Sequence, residues 1–419
     1  MASIFQDEKS LLVVTCSFGV APILAQELFD LGFRVHTVSD SYVETEGTLE
    51  DCMRLNLHLR TGHRVLYALD KFRCRNKDDL YTEASQIPWE RYLDPDGYFS
   101  IDRTIRNPTI RNDQIASLVL KDAIADRMRG RFGRRPNSGH DRTDACIFLF
   151  WIGTQATIYL DTTGESLSFR GYRSISSDAP MRESLAAALV LASGWNRQSP
   201  FLNPMCGCGT LAIEALWIAQ NRPPALFREN FSFMHFSCFE PALWTDLRSE
   251  ALKRFLESRS TPAVAYASDL DSRMVEATKA NAEIAEVTDE LRIECCDVFC
   301  SPHPPAKDGV AILNPPYGGR IGGDHVTLLE TYRSVGAFFA QAAVDGYRGF
   351  LFTGDPQLCE EAEMVVRRDR LFYSGDMECH FLEDPRLTEK ALRRLAKRNP
   401  DLRLPRQENP VSTVESERI

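Results

Sequence analysis

At 419 residues, with 43% apolar and 26% charged residues, the chain has room for two or three domains with sizeable cores. No apolar run approaches the length needed to span a bilayer, and the opening M-A-S-I-F-Q-D-E-K-S carries acids where a signal peptide would be basic, so a cytoplasmic protein is expected. A net charge of −10 argues against nucleic acid as a global partner, although a local basic patch can still grip phosphates. The twelve cysteines include no C-x-x-C pair, and neither Cys206-x-Cys208 nor Cys295-Cys296…Cys300 has zinc-ligand spacing; reduced thiols and no metal are expected.

Leu11 to Thr15 reads as a strand and Pro22 to Leu31 as a helix stopped by Gly32. Phe33 to Val38 and Tyr42 to Thr45 read as short strands, and Leu49 to Leu59 as a second helix, a β-α-β-β-α order that suggests a small ferredoxin-like unit. A second α+β unit follows: a strand from His63 to Phe72, a polar helix from Asp78 to Gln86, a strand from Tyr98 to Thr104 and an amphipathic helix from Ile115 to Met128. Ala145 to Ile152 and Ala156 to Leu160 form a hairpin around Gly153-Thr154. Between Arg127 and Arg142 stand six arginines (127, 129, 131, 134, 135 and 142) against the single acid Asp141. On their own these read as a solvated helix end and loop.

A polar linker, E-S-L-S-F-R-G-Y-R, leads into the helix Met181 to Ala192. Beyond it strand-turn-helix units repeat, the pattern of a doubly wound α/β domain. Within that domain, V-A-I-L-N-P-P-Y-G-G (310–319) runs from a buried strand into Asn314-Pro315-Pro316-Tyr317. Two consecutive prolines cannot donate ladder hydrogen bonds, and each extends the residue before it, so the strand must end in a stiff corner. The carboxyl end of a strand is where open α/β sheets place ligands. The Asn314 oxygen, the Pro315 carbonyl and the Tyr317 ring suit a flat heterocycle that carries an exocyclic NH₂.

A second site is expected at Phe201 to Thr210, F-L-N-P-M-C-G-C-G-T, where small residues between a strand and an apolar helix let backbone N–H groups approach a ligand. A Gly-x-Gly turn alone is a weak signal, and no G-K-[ST] follows to make it a P-loop. The strand from Ala263 ends in Asp269, an acid placed to hold ribose hydroxyls, if Asn221 to Pro262 is an insertion. The strand Leu291 to Cys295 leads to Asp297, within reach of an adenine amine. Each acid alone is more often a cap or loop residue. Polar groups at three successive strand ends make the stronger case.

Taken together, D-T-T-G-E-S-L-S-F-R-G-Y-R, A-P-M-R-E-S-L-A-A-A-L-V-L-A-S-G-W, N-P-M-C-G-C-G-T-L-A-I-E-A, F-S-F-M-H-F…F-E-P-A-L-W, S-D-L-D-S-R-M-V-E-A-T-K-A-N and N-P-P-Y-G-G-R are similar to the THUMP-domain-containing guanine-N2 RNA methyltransferases. The chain resembles the amino-terminal half of the bacterial 23S ribosomal RNA members. The resemblance implies a Rossmann-like class I methyltransferase domain with a seven-stranded, mostly parallel sheet at 166–385. Ahead of it would stand a THUMP RNA-binding domain at 61–165 and a ferredoxin-like unit at 1–60, and 386–419 would be a charged, flexible tail. It implies S-adenosyl-L-methionine as cofactor, held by Asn203, Pro204, Met205, Cys206, Gly207, Gly209, Thr210, Asp269 and Asp297. Asn314, Pro315, Pro316 and Tyr317 would seat the target base, and Arg127, Arg129, Arg131, Arg134 and Arg135 would contact RNA. No poised histidine is required, and His325 and His380 read as incidental.

Two departures stand out: the family usually has Asp at position 203 and Ser at 208, where this chain has Asn203 and Cys208. Loss of the acid removes a charge that could attract a cationic donor. Ribosomal RNA is the favoured substrate. The other readings are a transfer-RNA guanine-N2 enzyme of the same architecture, an adenine-N6 DNA methyltransferase sharing the N-P-P-Y corner, and a catalytically silent RNA-binding assembly factor. Some relatives carry a second methyltransferase unit downstream; with the chain ending at Ile419, one activity is expected.

Overall fold

A computed structural model describes residues 4–110, 112–176, 180–258, 264–317 and 324–388, together with Lys390, Arg393, Arg394 and Lys397. Most of the expected tail, all of 401–419 included, and the G-G-R that follows Tyr317 lie outside the described residues. No described helix is long and apolar enough to cross a membrane.

The first half of the chain builds one eight-stranded sheet from β1 (Ser10–Thr15), β2 (Thr37–Val38), β3 (Tyr42–Gly47), β4 (Arg64–Arg73), β5 (Tyr98–Arg106), β6 (Asn137–Gly139), β7 (Ala145–Ile152) and β8 (Gln155–Asp161), in the order β2-β3-β1-β4-β8-β7-β5-β6. The first four strands and the helices Ala21–Asp30 and Leu49–His58 form a ferredoxin-like β-α-β-β-α-β unit. Its closing strand is β4, beyond residue 60, and β4 also pairs with β8. One sheet therefore runs through both expected N-terminal units. The segment 33–38 pairs only at Thr37–Val38, on the sheet edge. A capping box, in which Thr48 and Asp51 satisfy each other's backbone N–H, starts the second helix where T-L-E-D begins.

The helix expected at 115–128 spans Asp113–Phe132, capped by the Asn112 side chain and stopped by Gly133 at φ 70°. It carries Arg127, Arg129 and Arg131 on its own last turns, not in a loop.

The second half forms a seven-stranded sheet. Its strands are β9 (Phe201–Pro204), β10 (Ala265–Asp269), β11 (Leu291–Cys295), β12 (Gly309–Leu313) and β13 (Tyr347–Thr353); β14 (Met364–Val365) then stands apart, and β15 (Arg368–Ser374) and β16 (Met377–Glu383) complete the sheet. The order is β11-β10-β9-β12-β13-β16-β15, parallel except for β16. The short β14 pairs with β17 (Arg386–Leu387). Alternate residues feed two cores: Phe201, Val310 and Ile312 pack with the helices Glu183–Ala192 and Thr210–Ala219, whereas Leu202, Ala311 and Leu313 pack with the helix His325–Val344. Because β9 has β10 on one side and β12 on the other, the chain switches direction there and leaves a crevice at the strands' carboxyl ends.

The linker and the insertion tie the two halves together. Arg170 meets Glu214 at 3.4 Å with both side chains buried, and the Tyr172 hydroxyl donates to the same carboxylate. In the insertion, the Ser232 hydroxyl accepts the Cys146 N–H at 2.7 Å, the Phe233 N–H donates to the Thr162 carbonyl, and Phe231, Phe233 and Trp244 form an aromatic cluster.

Candidate active site

The turn after β9 is built so that its backbone faces the crevice. Met205 takes φ +57°, Gly207 +54° and Gly209 +82°. At Gly209 a Cβ would fall 2.6 Å from Thr278 Cγ2, so both conformation and space demand glycine; beside Gly207 the space is open. The Asp269 carboxylate at the end of β10 accepts the Gly207 N–H at 2.9 Å and the Asp271 N–H at 3.0 Å, and burial raises its pKa above the usual carboxylate value. Asp269 thus shapes the loop. Asp297 is exposed and caps a short turn through the Phe299 N–H, which leaves its second oxygen outside that bond.

Two residues missed by sequence reasoning complete the turn. The Thr278 hydroxyl donates to the Gly207 carbonyl at 2.8 Å and the Asn281 amide to the Cys208 carbonyl at 3.0 Å. They lie three apart on the helix Ser272–Ile284, within A-T-K-A-N, and that same-face spacing was the available signal. Thr210 is held from the linker, accepting from Arg173 at 3.1 Å, while burial pushes the Cys206 thiol up to about 12. The buried Cys208 sulfur lies 3.5 Å from the Thr210 hydroxyl.

Asn203 has a structural purpose that its sequence position hides. The ladder between β9 and β12 pairs Phe201 with Val310 and Leu202 with Ala311. The next bond of a parallel ladder would run from the N–H of residue 204 to the Ile312 carbonyl, and Pro204 has none. The fully buried Asn203 amide supplies it, donating to that carbonyl at 3.0 Å. A carboxylate could not make this bond. The Asn203 oxygen remains buried with no hydrogen-bond partner among the described residues.

β9 ends at Pro204 and β12 at Leu313, so Met205 and Asn314 leave neighbouring parallel strands at the same end of the sheet. β12 is buried throughout and stops at Leu313, as the diproline demands. The Asn314 side-chain oxygen is also buried and has no hydrogen-bond partner among the described residues. Pro315 is buried, and Tyr317 is held from the other side: its ring lies over Gly354, where a Cβ would come within 2.8 Å, and its hydroxyl is 3.8 Å from the Cys379 sulfur. Burial raises the Tyr317 pKa, so the phenol stays neutral. The carboxyl ends of neighbouring strands thus carry a glycine loop, a carboxylate and the Asn314 acceptor oxygen, a set suited to a ligand rich in donors and positive charge.

The arginine cluster stands on the other sheet and is largely engaged. Arg127 grips Glu90 through two hydrogen bonds of 2.8 and 2.9 Å and donates to the Ser85 and Gln86 carbonyls. Arg129 pairs with Asp126 and Arg134 with Asp96, both near 2.9 Å. Arg131 and Arg135 make no salt bridge among the described residues. His325 and His380 face Glu361 and Asp369, each at 2.7 Å. Among the described residues no group of three or more His, Cys, Asp or Glu could hold a metal ion.

Comparison with known proteins agrees with this architecture. Residues 11–66 match the RlmL ferredoxin-like domain, 74–161 the THUMP domain and 170–382 the RMKL-like methyltransferase domain. A ribosomal RNA large subunit methyltransferase K/L of Psychromonas ingrahamii is 37% identical over 381 residues, covering 89% of this chain and 49% of the relative. The chain spans about half the length of the curated relatives it matches. Among solved structures, SMU.472 complexed with SAH superposes with a TM-score of 0.82 at 27% identity, covering 91% of this chain and 100% of the other. A Listeria monocytogenes protein named as a predicted N6-adenine-specific DNA methylase gives 0.80 at 28% identity, covering 90% and 96%. With its methyltransferase model matched over residues 170–382, a ferredoxin-like and a THUMP unit ahead of it, and the glycine loop and the Asn314 corner at the ends of neighbouring strands, the chain belongs to the RMKL-like methyltransferase family.

Proposed function

We propose that this chain is an S-adenosylmethionine-dependent RNA methyltransferase acting on the exocyclic N2 of a guanine, in 23S ribosomal RNA by preference. The observation that carries the reading is the buried Asn314 oxygen, without a hydrogen-bond partner among the described residues, at the end of the strand next to the one that leads into the glycine loop. S-adenosylmethionine, when bound, supplies an electrophilic methyl and needs no further activation. Gly207 and Gly209 give it backbone access, Asp269 offers acceptors for ribose hydroxyls, and Asp297 has an oxygen to spare for an adenine amine. The bound SAH of SMU.472 supports this choice of cofactor.

The chain's own task is to prepare the acceptor. An exocyclic amine shares its lone pair with the ring; the Asn314 oxygen and the Pro315 carbonyl, each accepting one N–H, let that nitrogen turn tetrahedral and aim its lone pair at the methyl. Tyr317, braced on Gly354, offers its ring to a base drawn out of its helix, at a cost of a few kcal/mol. Catalysis here is positioning, with no strong base required. Ribosomal RNA is favoured because the curated relatives carry that name. Incubating the purified chain with unmodified large-subunit ribosomal RNA and labelled donor, then digesting to nucleosides, should yield N2-methylguanosine by mass spectrometry. Label found only in N6-methyladenosine, or in no nucleoside, would refute the assignment.

A further inference from the structure

A cleft of about 730 Å³ lies between the first sheet, the linker and the insertion. Trp217 lines it from the last turn of the helix that starts beside Gly209, about 12 Å along that helix from the glycine loop, and Arg222 from just beyond the helix end. It is therefore separate from the Asn314 corner.

Its lining combines rings and guanidinium groups. Phe169 is 65% exposed and Phe227 52%, although phenyl rings are ordinarily among the best-buried side chains. Of the two aromatic residues in the linker stretch S-F-R-G-Y-R, Tyr172 is buried and Phe169 is presented to the cleft. Arg64, Arg142 and Arg228 line the same space. Arg64 pairs with Asp161, hidden beneath it at 1% exposure, and at 3.7 Å with Asp102, the acid that Arg142 also holds. Arg228 donates to the carbonyls of Thr163, Glu165, Ser166 and Asn230, and to no carboxylate among the described residues. Glu165 is the one acid in the lining.

We propose that this cleft is an RNA-anchoring site that takes an unpaired segment of the substrate, its bases stacked on Phe169 and Phe227 and its phosphates met by Arg142, while the engaged Arg64 and Arg228 brace the wall and add positive charge from beneath. The inference rests on the proposed RNA substrate and adds where that RNA is held. Stacking on a ring needs a base free of its pair, so single strands are preferred over duplex. Because the cleft is remote from the reacting corner, it governs substrate affinity and not the chemical step.

The test uses the full chain and fluorescence anisotropy with a labelled oligouridylate of about eight nucleotides and a duplex of equal length. Phe169→Ala and Phe227→Ala are each expected to weaken single-strand binding about tenfold. Duplex binding should change less than twofold, and calorimetric affinity for S-adenosylhomocysteine should hold. Arg142→Gln should flatten the log–log salt dependence by about 0.7. Wild-type affinity in the Phe169→Ala/Phe227→Ala double variant, with its melting temperature intact, overturns the cleft assignment. It is equally overturned if binding falls only in an Arg131→Ala/Arg135→Ala variant, which would locate the grip on the helix end. If the wild-type chain binds neither these probes nor ribosomal RNA, the RNA substrate itself is wrong and the inference falls with it.

Discussion

The end of β12 and the end of the helix Asp113–Phe132 are both polar, yet they differ in what is left over. At the first, the Asn314 oxygen is buried and accepts from no group among the described residues. At the second, Arg127, Arg129 and Arg134 already hold carboxylates. A buried unmet acceptor costs about 1–3 kcal/mol, an arrangement that makes sense where a ligand relieves it. Exposed ion pairs contribute about 1 kcal/mol or less and can be exchanged for phosphate, so the helix end can serve RNA only through its outer pairs and through Arg131 and Arg135. Arg127, half-buried and held by four bonds, is a brace. Availability, not residue type, separates a site from a scaffold.

Four changes would break or sharpen that contrast. The largest effect is expected from Asn314→Ala, which should lower kcat about a hundredfold while leaving RNA and cofactor affinities within about twofold, since the lost contact acts on the reacting amine. Next, Gly354→Ala puts a methyl group where the Tyr317 ring rests and should reduce kcat about tenfold with little change in melting temperature, as read by steady-state kinetics. Arg127→Ala is expected to cost about 2 kcal/mol in denaturant unfolding with RNA affinity within about twofold. The Arg127 hydrogen bonds hold the Glu90 pKa down to about 2, so this stabilisation is present above the unfolded value near 4.3 and fades as pH falls towards 2. The gap between wild type and variant should narrow over that window. A gap that is constant with pH would show the pair to be incidental.

The smallest effect is expected at Asn203. Asn203→Asp abolishes the donor to the Ile312 carbonyl and should destabilise the fold by about 1 kcal/mol at neutral pH. A buried carboxyl has a raised pKa, and its protonated form can still donate, so the loss should shrink on acidification towards about pH 4. Calorimetry should meanwhile show affinity shifting towards the cationic sulfonium donor relative to its neutral thioether product. A variant as stable as wild type at every pH would remove the ladder-substitute role.

Much of this was legible in the chain itself, wherever the cause was local. Pro315-Pro316 had to end a strand, Gly207 and Gly209 had to form a turn, and the alternation in 310–313 had to fill two cores. What escaped were partners far along the chain. β4 pairs with β8, which nothing near Arg64 announces, so the single sheet through both N-terminal units was not foreseen. Arg127 finds Glu90 thirty-seven residues away, and Asn203 meets Ile312 at a distance of 109. From sequence Asn203 read as a missing charge; only the neighbouring strand reveals it as a replacement for a proline's absent N–H. Phe169 was one apolar letter in a polar linker until the fold left it uncovered.

The most direct test of the role given to Asn314 compares single-turnover methyl transfer by Asn314→Asp and Asn314→Ala on the same RNA at saturating donor. A carboxylate keeps an acceptor oxygen at the corner and a methyl group does not, so the aspartate variant should transfer at least about ten times faster than the alanine variant. Equal rates in the two variants would mean that the side-chain oxygen does not hold the target amine.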